Sequence, residues 1–490
     1  MTDWSDGYAG PGVPGSLVGA QLPLTMETLL TEMAASPPRP GPASRLRYPA
    51  FTLSLRRFLA TEVGSGTLLI GATALALLWA NSPWSDSYER LWSTEAGIRV
   101  GSAELVLDLR HWVDDGLMTL FFLVVGLEVT REVTVGELRD RRTVRVPVLA
   151  ALGGMILPAL IFLAVNAGGA GVRGWGVAMA TDIAFVLGAL ALLGPRCPDQ
   201  LRLFLLTVAI VDDIGAILVI AVFYSDEVSL PAVLASVLLV AALVGLRWMR
   251  IWRSPAYVAV GLALWLAVLQ SGVHATIAGV LIGLLVSTRA PSPSGEAGVY
   301  ARALDEETTP ERARLAEMAA SATVSPNERM QHSLHPWGSY LVIPLFALAN
   351  AGVRLDEETL RAALTSPVTI GIVLALILGK SVGITGSTLI ALRLRLGVLP
   401  GTIMRGQLLG GATLAGIGFT VALFIAELAF ADPALRDQAV VGVLAGSLLA
   451  ALLGWAVFRL LGERGGVCAP PGGEEDLPTL PPRPWYEPAT

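Results

Sequence analysis

Apolar runs separated by short polar breaks fill residues 66 to 461, and their number and length constrain this chain more than any other feature. Twelve can be read, at 66–80, 117–129, 146–165, 175–193, 203–224, 230–246, 256–269, 275–286, 340–353, 368–392, 407–428 and 439–461. About 20 apolar residues in helical form cross the hydrocarbon core of a bilayer, so a chain with this many is an all-α polytopic membrane protein. Charged residues make up only 15% of its 490 positions, against about a quarter in soluble proteins. The shorter runs rise about 1.5 Å per residue and must extend into polar flanks or border thinned, watery regions to complete a crossing.

Arginine placement supports about 12 transmembrane helices with both termini on the cytoplasmic side. Arg45, Arg47, Arg56 and Arg57, then Arg131, Arg139, Arg141, Arg142 and Arg145, then Arg247, Arg250 and Arg253, then Arg393, Arg395 and Arg405 all fall on one side. The opposite loops, "SDEVSL", "LDEETLR" and "ADPALRD", are acidic or nearly neutral. Cys197 and Cys468 both map to the cytoplasmic side, so no disulfide is expected. Residues 1–55 and 465–490 are Pro-rich and read as disordered cytoplasmic extensions of a membrane domain at 56–464. Within it, 288–331 reads as a long cytoplasmic loop whose stretch "DEETTPERARLAEMAA" is suited to a short surface helix.

Four charged side chains fall well inside the apolar runs, away from their ends: Asp182, the adjacent pair Asp212 and Asp213, and Lys380. Each costs roughly 2.5–3.5 kcal/mol at a helix centre if it stands alone, so the four must be paired or hydrated. Lys380 is the only lysine in the chain, every other strong base being arginine. A compact ammonium, whose charge can be lost on burial, is therefore wanted at that position. Carboxylates, the Thr181 hydroxyl and freed backbone carbonyls suit a small hard cation such as Na⁺ or Li⁺. Two close buried carboxylates also hold protons more readily, which puts protons and the cation in competition.

The segment holding "ATDIAF" and the one holding "GATLAGIGFTVALF" are both interrupted, and they run in opposite directions seven segments apart. Corresponding broken helices in inverted halves point to a binding site at the membrane midplane. Where they break, an acid stabilises the positive helix ends and an ammonium the negative ones, which suits Asp182 and Lys380.

Seven stretches in order resemble the NhaA-type bacterial Na⁺/H⁺ antiporters: "DDGLMTLFFLVVGLEVTRE", "TDIAF", "LTVAIVDDIGAI", "SGVHATIAGV", "LHPWGSYLVIPLFALANAGV", "GKSVGI" and "GIGFTVALFIA". The resemblance covers about residues 56 to 459 and implies an inverted-repeat transporter fold with two discontinuous helices. It implies that Asp213 is the principal Na⁺ and proton ligand, with Asp212 as second carboxylate and as partner of Lys380 in a switchable ion pair. Thr181 completes the cation ligands and Asp182 gives electrostatic support. Glu128, Glu132 and His274 match positions tied to the pH response at the cytoplasmic funnel. His111, His332 and His335 lie near segment ends and suit interfacial roles. The family commonly has a Glu where this chain has Gln331, so a shifted or blunted pH response is expected.

The expectation is therefore a secondary active, electrogenic antiporter of the bacterial inner membrane that expels Na⁺ or Li⁺ as protons enter. No cofactor and no nucleic-acid partner is expected. A homodimer is, through the first external loop, 81–110, whose alternating "GIRVGSAELVLDL" is suited to a strand pair. The rival readings are a Na⁺-coupled organic-anion symporter on a similar fold and a membrane sensor. Enzymatic chemistry finds no P-loop, no nucleophile elbow and no His/Cys metal cluster to work with.

Overall fold

Backbone in lipid has to satisfy its own hydrogen bonds, and the apolar runs do so as helices. The structure, a computed structural model, describes residues 62–461 apart from 101–102, 137, 139–143, 194–198, 226–228, 250–253, 291–293 and 400–402. Both terminal extensions, Cys197, Cys468, Arg139, Arg141, Arg142, Arg250 and Arg253 lie outside the described residues.

Five helices are long and apolar enough to cross a bilayer unbroken: Arg145–Val165, Gln200–Phe223, Leu230–Trp248, Pro367–Arg393 and Pro433–Leu460. Three further apolar pairs are bent at a short break, Gly64–Ala80 with Ser85–Trp92 by 115°, Ala170–Met179 with Ile183–Leu190 by 47° and Arg405–Leu414 with Phe419–Ala429 by 44°. Met118–Thr134, Ala256–Leu269, Thr276–Leu285 and Ile343–Asn350 are shorter apolar helices. An all-helical membrane protein is the architecture that results.

Several short runs are completed by flanks that hydropathy alone would discard. The helix Met118–Thr134 continues past its apolar run to carry Glu128, Arg131 and Glu132, and a π-helical turn at Trp112–Leu117 leads into it. The loop expected over 288–331 is largely helical, at Ser294–Glu306 and Pro310–Ala322. The surface helix starts at Pro310, capped by the Thr309 hydroxyl, and not at residue 305. A third helix, Pro326–Trp337, starts in a capping box of Ser325 and Glu328 and runs through the π turn Gly338–Val342 into Ile343–Asn350. Residues 326–331 thus open the next span and do not close the loop.

The only described strands form a hairpin, Glu95–Val100 antiparallel to Ala103–Asp108, with Glu95 opposite Asp108 and Val100 opposite Ala103. It falls in the alternating stretch of the first external loop.

Close helix contact sets the position of Lys380. The helix Lys380–Arg393 lies against Arg145–Val165 where Gly153 faces Gly383, and a Cβ on Gly153 would sit 2.5 Å from the Gly383 carbonyl oxygen. Small residues are what let backbones approach this closely in lipid. Lys380 follows directly on a π-helical turn, Ala375–Gly379, a local widening that recurs at functional positions.

Candidate ion-binding site

Two bent helix pairs meet at their breaks. After Met179 the chain turns extended, with Ala180 at φ −72° and ψ 146°, before the helix Ile183–Leu193 begins. In the other span, the helix Arg405–Leu414 ends and Phe419–Ala429 begins after Gly418. The breaks are joined directly: the Asp182 N–H donates to the Ile417 carbonyl at 2.7 Å, and the Thr181 hydroxyl lies 2.9 Å from the Ala415 carbonyl.

Breaking a helix in lipid exposes N–H groups at one end and carbonyls at the other, and charged side chains cover both. Asp182 serves both N-terminal ends. Its Oδ1 accepts from the Phe185 N–H at 3.1 Å, and its Oδ2 accepts from the Thr420 N–H at 3.2 Å and the Thr420 hydroxyl at 2.6 Å. Lys380 serves a C-terminal end, its Nζ donating to the Met179 carbonyl.

The same ammonium forms an ion pair with Asp212 Oδ2, and neither side chain has any exposure. The Thr181 hydroxyl reaches that oxygen too, at 2.6 Å, so its single hydrogen is shared between Asp212 and Ala415. Asp212 Oδ1 is buried without a hydrogen-bond partner among the described residues. Asp213, the next residue on the helix Asp199–Phe223, is turned by about 100° and cannot share that contact. It makes no hydrogen bond or ion pair with any described residue, and its side chain lines a cavity.

That cavity has a volume of about 840 Å³. Thr181, Asp182, Asp213 and Thr420 line it around the breaks, Glu128 lies along it, and Arg131, Glu328, Gln331, His332 and His335 also line it. Arg131 faces Glu328 at 3.9 Å. Among the described residues, no three His, Cys, Asp or Glu side chains converge to hold a metal.

Thr181, Asp182, Asp212, Asp213 and Lys380 are therefore brought together, with Glu128 along the same cavity. Glu132 lies one turn beyond Glu128 on the same helix and does not line it. His274 departs from expectation. Its Nε2 donates to the Tyr224 carbonyl at 2.6 Å, just past the C-terminus of Asp199–Phe223. It also lies within electrostatic reach of Asp115, 13 residues from Glu128 along the chain and so about 20 Å away on the helix. That is the opposite end of the molecule from Glu128 and His335. His332 and His335 line the cavity, while His111 is exposed and pairs with Asp108 at 2.7 Å.

Thr420 was not singled out by sequence reasoning, nor were the Met179 and Ala415 carbonyls. A threonine just after Gly418 in an apolar run was the available signal for the first. Backbone oxygens leave no signal at all.

Buried acids and one buried ammonium where two bent helix pairs meet, with a cavity lined by charged as well as apolar side chains leading to them, define a membrane carrier for a small cation. The chain belongs to the Na⁺/H⁺ antiporter family: the family model described as "Na+/H+ antiporter 1" matches residues 56–458. It is 56% identical over 455 residues to the Na⁺/H⁺ antiporter NhaA 3 of Frankia alni, covering 92% of this chain and 98% of that one. It is 47% identical over 403 residues to the Na⁺/H⁺ antiporter NhaA 1 of Mycolicibacterium vanbaalenii, covering 82% of this chain and 65% of the relative. With NhaA 1 of Mycolicibacterium gilvum the identity is 46% over 426 residues, 86% of this chain and 69% of that one.

Proposed function

We propose that this protein exchanges Na⁺, and Li⁺, for protons across the bacterial inner membrane, through Asp213. The observation that carries the assignment is the contrast within one adjacent pair. Asp212 is held by Lys380 and Thr181, while Asp213 faces the cavity with no protein partner. A carboxylate that faces a cavity without a hydrogen-bond or ion-pair partner holds either a proton or a cation. Asp212 and Thr181 supply further oxygens when Lys380 releases its partner. Asp182 keeps the crossing assembled by capping two helix starts, and binds no ion itself.

On this reading the chain has twelve spans in two inverted halves, the broken pairs being corresponding helices, with both termini in the cytoplasm. The cavity opens to the cytoplasm, the side to which the Arg131 end of its helix is assigned. Residues 1–55 and 465–490 are extensions outside the membrane domain, and the hairpin Glu95–Asp108 joins two copies in a dimer. Glu128 tunes the pH response from the cavity and Glu132 from one turn beyond it on the same helix; His274 lies far from both. An organic anion would need cationic donors at the site, and Lys380 is engaged by Asp212 and Met179.

Two protons released for one bound monovalent cation, one from the Asp213 carboxyl and one from the Lys380 ammonium as it leaves Asp212, make the cycle electrogenic. Each net charge moved gains about 2.3 kcal/mol per 100 mV, so the membrane potential helps drive extrusion. The test is a proton gradient imposed on everted vesicles and followed with a pH dye. Na⁺ should collapse it for the wild-type protein and not for Asp213→Asn. If neither responds to Na⁺ or Li⁺ from about pH 6 to 9, a range that brackets carboxylates raised by burial, exchange is the wrong reaction.

A further inference from the structure

Lys380 and Asp212 are joined by two routes. The first is their ion pair; the second runs through the break after Leu414 and returns to the residue that follows Lys380. Along it, the Thr181 hydroxyl lies 2.6 Å from Asp212 Oδ2 and 2.9 Å from the Ala415 carbonyl. Two residues before Ala415, in the last turn of Arg405–Leu414, Thr413 Oγ1 accepts a hydrogen bond from Ser381 Oγ at 3.0 Å. Ser381 and Thr413 are 9% and 5% exposed, so solvent does not weaken the contact.

The hydroxyl hydrogens fix who donates. Thr413 gives its own to the Leu409 carbonyl at 2.8 Å, which leaves its oxygen to accept. Ser381 has one hydrogen for two acceptors, Thr413 Oγ1 and the Ile377 carbonyl at 2.6 Å. Ile377 belongs to the π turn Ala375–Gly379, on which Lys380 directly follows. The Ser381 hydroxyl therefore stands between the π turn of one span and the break of another. Backbone meets backbone there as well, since a Cβ on Gly416 would collide with the Leu376 carbonyl oxygen.

We infer that Ser381 and Thr413 are positioning residues for the exchange: their hydrogen bond holds the Lys380 helix against the second break and so keeps the ammonium on Asp212. A shift that carries Lys380 off Asp212 moves Lys380–Arg393 relative to Arg405–Leu414. Among the described residues, Ser381–Thr413 is the one side-chain hydrogen bond between those two helices. Without it the ammonium leaves Asp212 more often, and a cation competes for that carboxylate at lower concentration and lower pH. The other charges around Lys380 are few. Asp213 lies within electrostatic reach, Asp182 stands at the first break, and Arg173 is two 3₁₀ turns before Met179. The helices Arg145–Val165, Arg405–Leu414 and Pro433–Leu461, packed on this helix or its π turn, carry charge only near their ends.

The consequence for exchange rests on the antiport reading, but the test reads Lys380 directly. It is the only lysine in the chain, and with no exposure it reacts only when it has left Asp212. The purified protein in detergent is treated with isotope-labelled formaldehyde and cyanoborohydride, and methylation of Lys380 is followed by mass spectrometry. Thr413→Val should raise the rate about two- to tenfold, the range that one lost hydrogen bond between neutral groups gives, at an unchanged unfolding midpoint. Thr413→Ser should keep the wild-type rate. Ser381→Ala, alone or combined with Thr413→Val, should match Thr413→Val, because each removes the same bond. If Thr413→Val does not fold, Ser381→Ala takes its place, with Ser381→Thr as the conservative variant.

In proteoliposomes the faster-methylated variants should reach half-maximal exchange at a Na⁺ concentration about two- to tenfold lower, with the pH profile moved to lower pH by up to about one unit. A Thr413→Val methylation rate equal to wild type would overturn the inference. So would a raised rate that Thr413→Ser shares, or one that the double variant raises further. Faster methylation beside a wild-type protein that exchanges nothing would uphold the hold on Lys380 and remove the antiport reading alone.

Discussion

Lys380–Asp212 and Arg361–Glu357 are the same chemical contact in two surroundings. The first pair is wholly buried at the crossing of the broken spans; the second is 78% and 80% exposed on the helix Glu357–Thr365. In water such a pair is worth a few tenths of a kcal/mol, because solvent screens it and ordering two long side chains offsets the gain. Out of water each ion costs several kcal/mol to desolvate, which mutual attraction recovers only when every remaining lone pair is satisfied. Asp212 Oδ1 has no hydrogen-bond partner among the described residues. The buried pair is thus kept for what it can exchange, and its neighbour Asp213 has even less holding it.

Asp213→Asn should abolish exchange, read as radiolabelled sodium flux in proteoliposomes. It should leave the unfolding midpoint unchanged or higher, because no protein contact of Asp213 is lost. Lys380→Ala leaves a buried carboxylate and the Met179 carbonyl without their partner. It should lower stability by about 3–5 kcal/mol, and the double variant with Asp212→Leu should be less destabilised than the single one, measured by denaturant titration in detergent.

Thr420→Val keeps the shape and removes one of the bonds to Asp182. A loss of about 1–3 kcal/mol is expected by the same titration. Arg361→Ala should move stability by about 0.5 kcal/mol or less, and less still in high salt.

The smallest effect is at the Asp356 cap. Its Oδ1 accepts from the Thr359 N–H at 2.7 Å, and backbone hydrogen bonding there holds its carboxyl below the usual range. A group so held adds stability above its unfolded-state pKa, near 3.9, and loses it as pH falls through the lower folded value. Protection of the Glu357–Thr365 amides, corrected for the pH dependence of intrinsic exchange, should therefore fall on acidification below about pH 4 in wild type, and lose that dependence in Asp356→Ala.

The sequence disclosed the charges and not their partners. Asp182, Asp212, Asp213 and Lys380 stand out because each interrupts an apolar run, and glycines at 416 and 418 mark one of the breaks. The hairpin was legible from its alternation. What binds Asp182 and Lys380 was not, because half of it is backbone: the Phe185 and Thr420 N–H groups and the Met179 carbonyl. The start of the helix at Pro326 was hidden by its polar first turns, which hydropathy reads as loop. His274 was misplaced for a different reason. A motif match assigns a role without a position, and the alternation of spans already puts residue 274 at the opposite face from Glu128.

The central claim is that Asp213 trades protons for Na⁺ while Asp212 is held by Lys380. It is tested most directly by adding Na⁺ to the purified protein in weakly buffered detergent solution and recording the pH, with choline as the ionic-strength control. Wild type should release protons on addition of Na⁺ or Li⁺, and Asp213→Asn should release none. Proton release from Asp213→Asn equal to that of wild type would contradict the account.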